Sequence, residues 1–409
     1  MNPRLCIYED DQYRNLYPLS LTRPVFELRC GMFTLLEKIV RHFPGYPVSY
    51  VLRRDLQKLA KERHPETPIN QLKAEDMYFI NGRFMIKSEI PRDLSGSRVF
   101  ECNGKIVGAY VLAKDIQKVR LSDDGVLLED SLMDFAPVRV EGSFIHYPWD
   151  LVHLNAEQIQ QDFDMLGSGG HILGKVYPNV TLLDQANIYL APGAALYPGV
   201  VVDGEAGPVY ISEGATVMAN AVIEGPVYIG RNTRIKIGAK IYGGTSLGDV
   251  CKVGGEVEGS IIHGYSNKQH EGFLGHAYLG EWVNLGADTN NSDLKNNYGS
   301  VKVMLGGRPV DTGSMFVGLF MGDHSKSGIN TMFNTGSVVG VMCNVFGAGY
   351  TPKFIRSFTW GGIETAERYD FHKAIETARQ VMQRRDKTLS DTEIELYQSI
   401  FDRSQHEPI

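Results

Sequence analysis

The stretch IEGPVYIGRNTRIKIGAKIYGGTSLGDVCK, residues 223–252, carries an aliphatic side chain at every sixth position. The spacing continues beyond this stretch, and the aliphatic positions are Ile211, Val217, Ile223, Ile229, Ile235, Ile241, Leu247 and Val253. Four residues after each stands a small residue or a valine: Ala215, Ala221, Val227, Thr233, Ala239, Thr245, Cys251 and Val257. Helices repeat every 3.6 residues and strands every two, so a period of six indicates another architecture.

A period of six predicts a solenoid, in which each unit buries its apolar side chains only by stacking on its neighbours. Six residues make one short strand and one turn, and three such units complete a triangular coil. Looser copies of the pattern occur at Leu190, Leu196, Val202, Phe273, Leu279, Leu285, Val317, Ile329 and Val341. We therefore predict a three-sided prism of parallel strands over residues 171–360.

Composition limits the class of protein. The 409 residues are 43% hydrophobic and 22% charged, which is typical of a globular protein of two or three domains. The formal charge of −7 argues against nucleic-acid binding, which needs a basic surface. No apolar run reaches the ~20 residues that span a bilayer. Five scattered cysteines without CxxC spacing predict buried thiols in a cytoplasmic protein.

Two segments flank the predicted prism. Residues 1–165 mix short apolar strands with helical stretches, which predicts an α/β domain. The sequence DMLGSGG, residues 164–170, is typical of a linker. Residues 361–409 are rich in Glu, Arg, Lys, Gln and Ala, and we expect one or two helices there.

The repeat resembles the hexapeptide-repeat, left-handed parallel β-helix. Residues 264–303 and 318–349 resemble the acetyltransferase domain of bifunctional UDP-N-acetylglucosamine pyrophosphorylase/glucosamine-1-phosphate N-acetyltransferases, including an archaeal branch. The resemblance implies a homotrimer that binds acetyl-CoA in the cleft between neighbouring prisms. It also implies transfer of acetyl to the amine of an amino-sugar phosphate.

Three residues match positions of the acetyltransferase motif. In NKQHEGFLG, His270 matches the histidine that deprotonates the sugar amine, a role that suits a group titrating near neutral pH. Phe273 stands where the family has a tyrosine, so one hydroxyl is missing from the predicted substrate site. In VNLGADT, Asn284 matches a residue that contacts the substrate.

The next segment fits the family in two ways, and both remain open. NNSDLK aligns Asp293 and Lys295 with the archaeal branch, whereas KNNYG supplies Asn297 and Tyr298 for the other branch. Lys295 and Lys302 are candidates to neutralise the sugar phosphate.

Further along, GDHSKSGIN places His324 and Lys326 where they would line the coenzyme cleft, although a hydrogen-bonded rim is an equal alternative. His263 and His276 match no motif, and we expect structural roles for them.

The resemblance extends to a sugar-1-phosphate nucleotidyltransferase domain at the N-terminus. Residues 17–39 resemble the second half of its fingerprint, but Glu9, Asp10 and Asp11 replace the glycines that let backbone amides approach phosphates. Arg83 stands where a magnesium-binding aspartate is expected, while YPWDLVHLN puts Asp150 in a Mg²⁺-ligand position.

Arginines of the same domain could instead neutralise the phosphate charge, and the candidates are Arg23, Arg29 and Arg83. The leading hypothesis is a sugar-nucleotide biosynthesis enzyme with coupled nucleotidyl and acetyl transfer. The alternatives are nucleotidyl transfer alone, with the prism as an oligomerisation platform, or a non-catalytic scaffold that binds sugar nucleotides. UTP and dTTP are both open as the nucleotide donor, and several sugars are open as the acceptor.

Overall fold

A computed structural model of the chain describes residues 2–406; Met1 and residues 407–409, the end of the predicted helical tail, lie outside the described residues. The N-terminal part is built on a mixed six-stranded sheet, three of whose strands are parallel neighbours. In spatial order the strands are Val48–Val51, Arg4–Tyr8, Met77–Asn81, Lys105–Val111, Arg98–Cys102 and Ala136–Arg139. Two antiparallel pairs accompany it: Phe84–Ile86 with Gly142–Phe144, and Arg29–Cys30 with Phe33–Thr34. The predicted α/β domain is confirmed.

Three helices pack around this sheet, and local sequence sets their ends. Helix α1, Leu35–Arg41, begins with a capping box in which Thr34 and Glu37 bond each other's backbone amides. Helix α2 is Arg54–Arg63. Helix α3, Pro148–Leu166, has proline at its first position and stops at Gly167, whose φ of 59° suits glycine. The start of the predicted linker is therefore helical.

The rest of the chain up to residue 368 forms a left-handed parallel β-helix of about ten coils, as predicted. One face is a continuous nine-stranded sheet: Ile188–Leu190, Val209–Ile211, Val227–Ile229, Thr245–Leu247, Ile261–Gly264, Tyr278–Glu281, Leu319–Met321, Ser337–Val339 and Phe354–Ile355. We call this face 1.

Face 2 consists of Lys175–Val176, Ala195–Leu196, Thr216–Val217, Arg234–Ile235, Lys252–Val253, Asn267–Lys268, Lys326–Ser327, Asn344–Phe346 and Thr359–Gly362, closed by antiparallel Ala366–Arg368. Face 3 consists of Thr181–Leu183, Val201–Asp203, Val222–Glu224, Lys240–Ile241, Glu256–Glu258 and Phe273–Gly275, followed by the pair Asn290–Asn291 and Met332–Phe333.

The six-residue pattern describes the interior of the first coils. Ile211, Ile229 and Leu247 are direct neighbours on face 1, one coil of three sixes apart, and all three are fully buried. Later coils are shorter than three sixes. Leu247 pairs with Ile262, fifteen positions further along the chain, and not with the residue eighteen positions away. Two assignments shift as a result. Leu274, not Phe273, points inward beneath Val257, and Ile329 is 72% exposed.

One loop leaves the prism between residues 292 and 317. It contains the hairpin Lys302–Leu305 with Arg308–Asp311. Val301 and Val303 of this segment share a hydrophobic core with Trp149 of α3. The loop is therefore held against the helix that joins the two halves of the chain.

One corner of the prism is lined by residues in the left-handed backbone region. Tyr265, Trp282, His324, Met342 and Phe358 all adopt φ between 51° and 61° there. Helices α4, Phe371–Gln383, and α5, Asp391–Arg403, cover this corner. Side chains of the corner, of α4 and α5, and of the N-terminal sheet belong to one hydrophobic core.

Candidate active sites

Phe273, His276 and Asp293 meet at one edge of the prism. Asp293 Oδ2 lies 2.8 Å from His276 Nδ1, and the His276 ring packs 5.1 Å from that of Phe316. A Cβ on Gly275 would overlap both Asp293 Oδ2 and the Phe273 ring, so only glycine permits this arrangement. Asp293 therefore joins the loop to His276. His276 was not predicted as a site residue because it lies in no motif. The sequence feature that could have indicated it is Gly275, the residue before it.

His270 is exposed on a bend one strand before this cluster. Beneath it, Lys268 occupies an inward position in register with Val253 and is 2% exposed. The Lys268 ammonium donates to the carbonyl oxygens of Gly254 and His270, each at 3.0 Å. Burial lowers the pKa of Lys268 to about 8. A buried lysine thus holds the backbone that presents the predicted base.

The loop after Asp293 folds back on itself. Lys295 Nζ donates to Ser300 O, and Asn297 Oδ1 accepts from Gly299 N at 3.1 Å. Tyr298 is 67% exposed, and Lys302 is exposed at the start of the hairpin. Of the two alternatives left open by the sequence, Asp293 lies at the prism edge with Phe273, whereas Asn297 and Tyr298 lie out in the loop.

Asn284 lies in an outward column of face 2. It is in register with Asn267 and Lys326, and its Oδ1 accepts from Asn267 Nδ2 at 3.3 Å. Arg385, from the turn between α4 and α5, donates to Asn267 Oδ1 at 3.0 Å. The C-terminal helices therefore reach the column that contains the predicted substrate-binding asparagine.

His324 and Lys326 lie beneath the C-terminal helices. His324 is 2% exposed, stacks on Trp282 at 5.9 Å and contacts the Tyr397 ring of α5 edge-on. Burial lowers the pKa of His324 to about 3. Lys326 Nζ donates to His324 O at 2.8 Å, and burial lowers the pKa of Lys326 to about 8. Within this chain His324 is a core residue, and its side chain is not presented to solvent at a seam.

In the N-terminal part, Arg83, one of the predicted phosphate-binding arginines, is already paired with a carboxylate. Arg83 is 1% exposed, pairs with Asp10 and donates to Ile145 O at 2.7 Å. Glu129 lies close by, accepting from Asn81 at 3.0 Å, and burial followed by the Asp10 charge raises the pKa of Glu129 to about 7.

Glu9, which replaces a glycine of the fingerprint, is fully buried. Its carboxylate accepts from the backbone amides of Val25, at 2.9 Å, and Arg53, at 3.2 Å, and pairs with the Arg53 guanidinium. Amides and a guanidinium are the donors that bind phosphate in other proteins. Here the chain supplies its own anion to them.

Arg23 and Arg29 are engaged elsewhere. Arg23 is buried against Asp323 of the prism and lies 3.4 Å from Glu281. Arg29 donates to Met32 O and lies over the Tyr228 ring, 5.4 Å from its centroid. Both residues tie the N-terminal part to the prism.

Asp150 caps α3. Its Oδ2 accepts from the amides of His146 and Tyr147 at 2.7 and 3.0 Å. Among residues 2–406, no three His, Cys, Asp or Glu side chains are grouped so that they could hold a metal ion. Mg²⁺ needs at least one available carboxylate in addition to substrate phosphates. Asp150 uses only its Oδ2 in these two bonds, and its assignment as a single-carboxylate Mg²⁺ ligand stays a prediction.

Comparison with known proteins finds a likeness in the N-terminal part. Residues 5–170 match the family model described as sugar nucleotidyl transferase. The match covers the six-stranded sheet, α1, α2 and α3. It ends where the β-helix begins.

Curated relatives resemble shorter stretches of the chain. "Bifunctional protein GlmU" of Rippkaea orientalis is 31% identical over 102 residues, 24% of this chain and 21% of the relative. "Bifunctional sugar-1-phosphate nucleotidylyltransferase/acetyltransferase" of Sulfurisphaera tokodaii is 32% identical over 104 residues, 25% of this chain and 26% of the relative. The chain thus spans about a quarter of the length of these relatives.

Solved structures with some likeness include two UDP-N-acetylglucosamine acyltransferases. The Campylobacter jejuni protein is 11% identical with a TM-score of 0.20, over 57% of this chain and 97% of that protein. The Francisella novicida protein is 13% identical with a TM-score of 0.19, over 57% and 87%. In the part of the chain that the structure describes, no helix is both long and apolar enough to cross a membrane.

Proposed function

We propose that this chain is a cytoplasmic transferase of sugar-nucleotide biosynthesis with two coupled activities. One transfers the nucleotidyl group of a nucleoside triphosphate to a sugar-1-phosphate and releases pyrophosphate, and the other transfers acetyl from acetyl-CoA to an amino-sugar phosphate. The observation that carries the proposal is the joining of two parts in one chain. Residues 5–170 match a sugar nucleotidyl transferase family, and a β-helix with an exposed histidine in an acetyltransferase-like motif follows.

The acetyl-transfer chemistry requires a base at the prism edge. The sugar amine attacks the thioester carbonyl, a C–N bond forms, the C–S bond breaks, and the amine proton passes to His270 and then to the departing thiolate. Phe273 and Asn284 would contact the sugar, and Lys295 or Lys302 its phosphate. We propose that three copies assemble so that each site is completed between neighbouring prisms.

The proposal is tested by incubating the full chain with glucosamine-1-phosphate and acetyl-CoA while following free thiol. We expect turnover in the wild type and a loss of kcat of about 10²–10⁴-fold in His270→Ala. His171→Ala, an exposed histidine at the far end of the prism, serves as the control and should keep wild-type rates. No thiol release from the wild type would refute acetyl transfer, and full activity in His270→Ala would refute the role of this histidine.

A second candidate for the N-terminal half is binding without transfer. The buried Arg83–Asp10 and Arg53–Glu9 pairs count against transfer, because both guanidiniums are already paired and would not be available to neutralise a triphosphate. Pyrophosphate release from UTP or dTTP with a sugar-1-phosphate distinguishes the two. Release supports the coupled enzyme, whereas thermal stabilisation by a sugar nucleotide without any release supports binding alone.

A further inference from the structure

One corner region of the prism concentrates positive charge, and within residues 2–406 no carboxylate forms an ion pair with it. Arg234 and Lys252 are direct neighbours in the outward column of face 2, and strand neighbours lie about 4.8 Å apart. Arg385 joins them by its bond to Asn267, the next residue of that column. Lys236 and Arg384 complete the group. We call these residues, Arg234, Lys236, Lys252, Arg384 and Arg385, the cationic corner.

The members of the cationic corner act on one another. Burial, and then the charges of Arg385, Arg234, Arg384 and Lys236, lower the pKa of Lys252. Over residues 2–406, the ion pairs within 4.0 Å include none formed by these five side chains. Glu256 on face 3 is in register with Lys240 and forms no ion pair either. Uncompensated repulsion of this kind costs stability, so it indicates a surface that binds an anion.

The cationic corner lies directly beside His270. A Cβ placed on Gly254 would lie 3.0 Å from Lys236 Cβ on one side and 2.7 Å from Gln269 O on the other. Gly254 therefore separates Lys236 from the residue that precedes His270. Gly254 and Gly255 are buried, and neither position has room for a Cβ, so the backbones that carry Lys236 and His270 lie close together at this edge.

We infer that the cationic corner binds the phosphate groups of the acetyl donor. This inference rests on the proposed acetyl transfer, since it places a co-substrate at that site. Coenzyme A carries a diphosphate and a 3′-phosphate, and its thioester lies at the far end of a flexible arm. Phosphates held at the corner would leave the thioester free to reach the neighbouring edge with His270. Arginine is suited to this task because its guanidinium bonds phosphate oxygens in pairs.

The test compares the full-length wild type with Arg234→Ala/Lys252→Ala and with Arg385→Ala. Binding of coenzyme A, of 3′-dephospho-coenzyme A and of glucosamine-1-phosphate is measured by titration calorimetry. KM is measured for acetyl-CoA and for S-acetyl-pantetheine, which has no phosphate. Lys118→Ala/Arg120→Ala, a pair of exposed cations that already have carboxylate partners, is the matched control.

We expect the double variant to bind coenzyme A at least about tenfold more weakly at 0.15 M salt, with a flatter dependence on ionic strength. KM for S-acetyl-pantetheine and the affinity for glucosamine-1-phosphate should not change. The variants should fold, because removing repelling charges raises the melting temperature. Equal coenzyme A affinity in the wild type and both variants would overturn the inference, as would a loss confined to the sugar phosphate.

The two proposals fail differently. If the wild type binds coenzyme A through these residues but releases no thiol with any amino-sugar phosphate, acetyl transfer fails and the inference stands. If thiol is released but KM for acetyl-CoA is the same in all variants, acetyl transfer stands and the inference fails.

Discussion

His324 shows how one residue becomes sensitive to pH through burial. It lies in the left-handed region with φ of 59°, packed between Trp282 and Tyr397. Among the residues that the structure describes, none forms a hydrogen bond with its Nδ1. Burial lowers its pKa from 6.5 to about 3, so the folded chain keeps the imidazole neutral in mild acid. The unfolded chain takes up a proton below pH 6.5. Stability is therefore lost as pH falls from about 6.5 to about 3.

His324→Phe should remove this part of the acid sensitivity. Phenylalanine keeps the ring stack, and Phe358 already tolerates the same backbone conformation at this corner. The wild type should lose up to about 4 kcal/mol of unfolding free energy through this group between pH 6.5 and 3. The variant should lose that much less, as measured by urea unfolding at several pH values. Parallel stability curves for the two proteins would contradict this account.

At the scale of elements, α5 closes the prism corner. Leu396, Tyr397 and Ile400 of this helix are buried in the core that also contains Trp282 and Phe358 of the corner. Residues other than glycine in the left-handed region cost about 1 kcal/mol or more each. Burial of large side chains at this corner offsets that cost, so the corner and α5 depend on each other.

Ile400→Ala should therefore destabilise the prism corner and the N-terminal sheet as well as helix α5. We expect a loss of about 2–5 kcal/mol, because Ile400 is fully buried. Asp402→Ala, on the exposed side of the same helix, should change stability by less than about 0.5 kcal/mol. Thermal unfolding should show a single transition moved to lower temperature, since the N-terminal sheet shares this core. A separate early transition, with the N-terminal sheet unaffected, would show that α5 folds independently.

At the scale of the whole molecule, a buried ion pair joins the two halves. Arg23 of the N-terminal part and Asp323 of the prism are 2% and 4% exposed, and Thr22 donates a second bond to Asp323 at 2.6 Å. Breaking such a pair on one side leaves a buried charge without a partner.

Asp323→Asn should cost about 3–5 kcal/mol of unfolding free energy, measured in urea. Arg23→Met/Asp323→Leu should recover part of this loss, because neither charge of the pair remains buried, while Glu281 loses Arg23 as a neighbour. Asp130→Asn, which breaks the exposed pair with Arg120, should cost less than about 1 kcal/mol. Equal losses for the buried and the exposed pair would contradict the proposed linkage.

Prediction from sequence succeeded where residues close together in the chain determine the structure. The interior columns from Ile211 to Val253 were readable because every sixth side chain must face the same apolar axis. The pattern failed at Phe273 and Ile329, where coils shorten or a loop intervenes and the register shifts. The motif residues His270 and Asn284 do lie at exposed or outward positions, and their catalytic and binding roles stay predictions.

The sequence by itself determined the β-helix, the N-terminal α/β sheet and the C-terminal helices, because each follows from spacing or capping within a few residues of the chain. Only the tertiary structure decided which charged groups meet. Asp10 reaches Arg83, Arg23 reaches Asp323, and Arg385 reaches Asn267 across long stretches of chain. Spacing cannot encode such pairings, since they depend on how separate elements pack. These contacts, more than the motifs, determine which arginines remain free to bind a ligand.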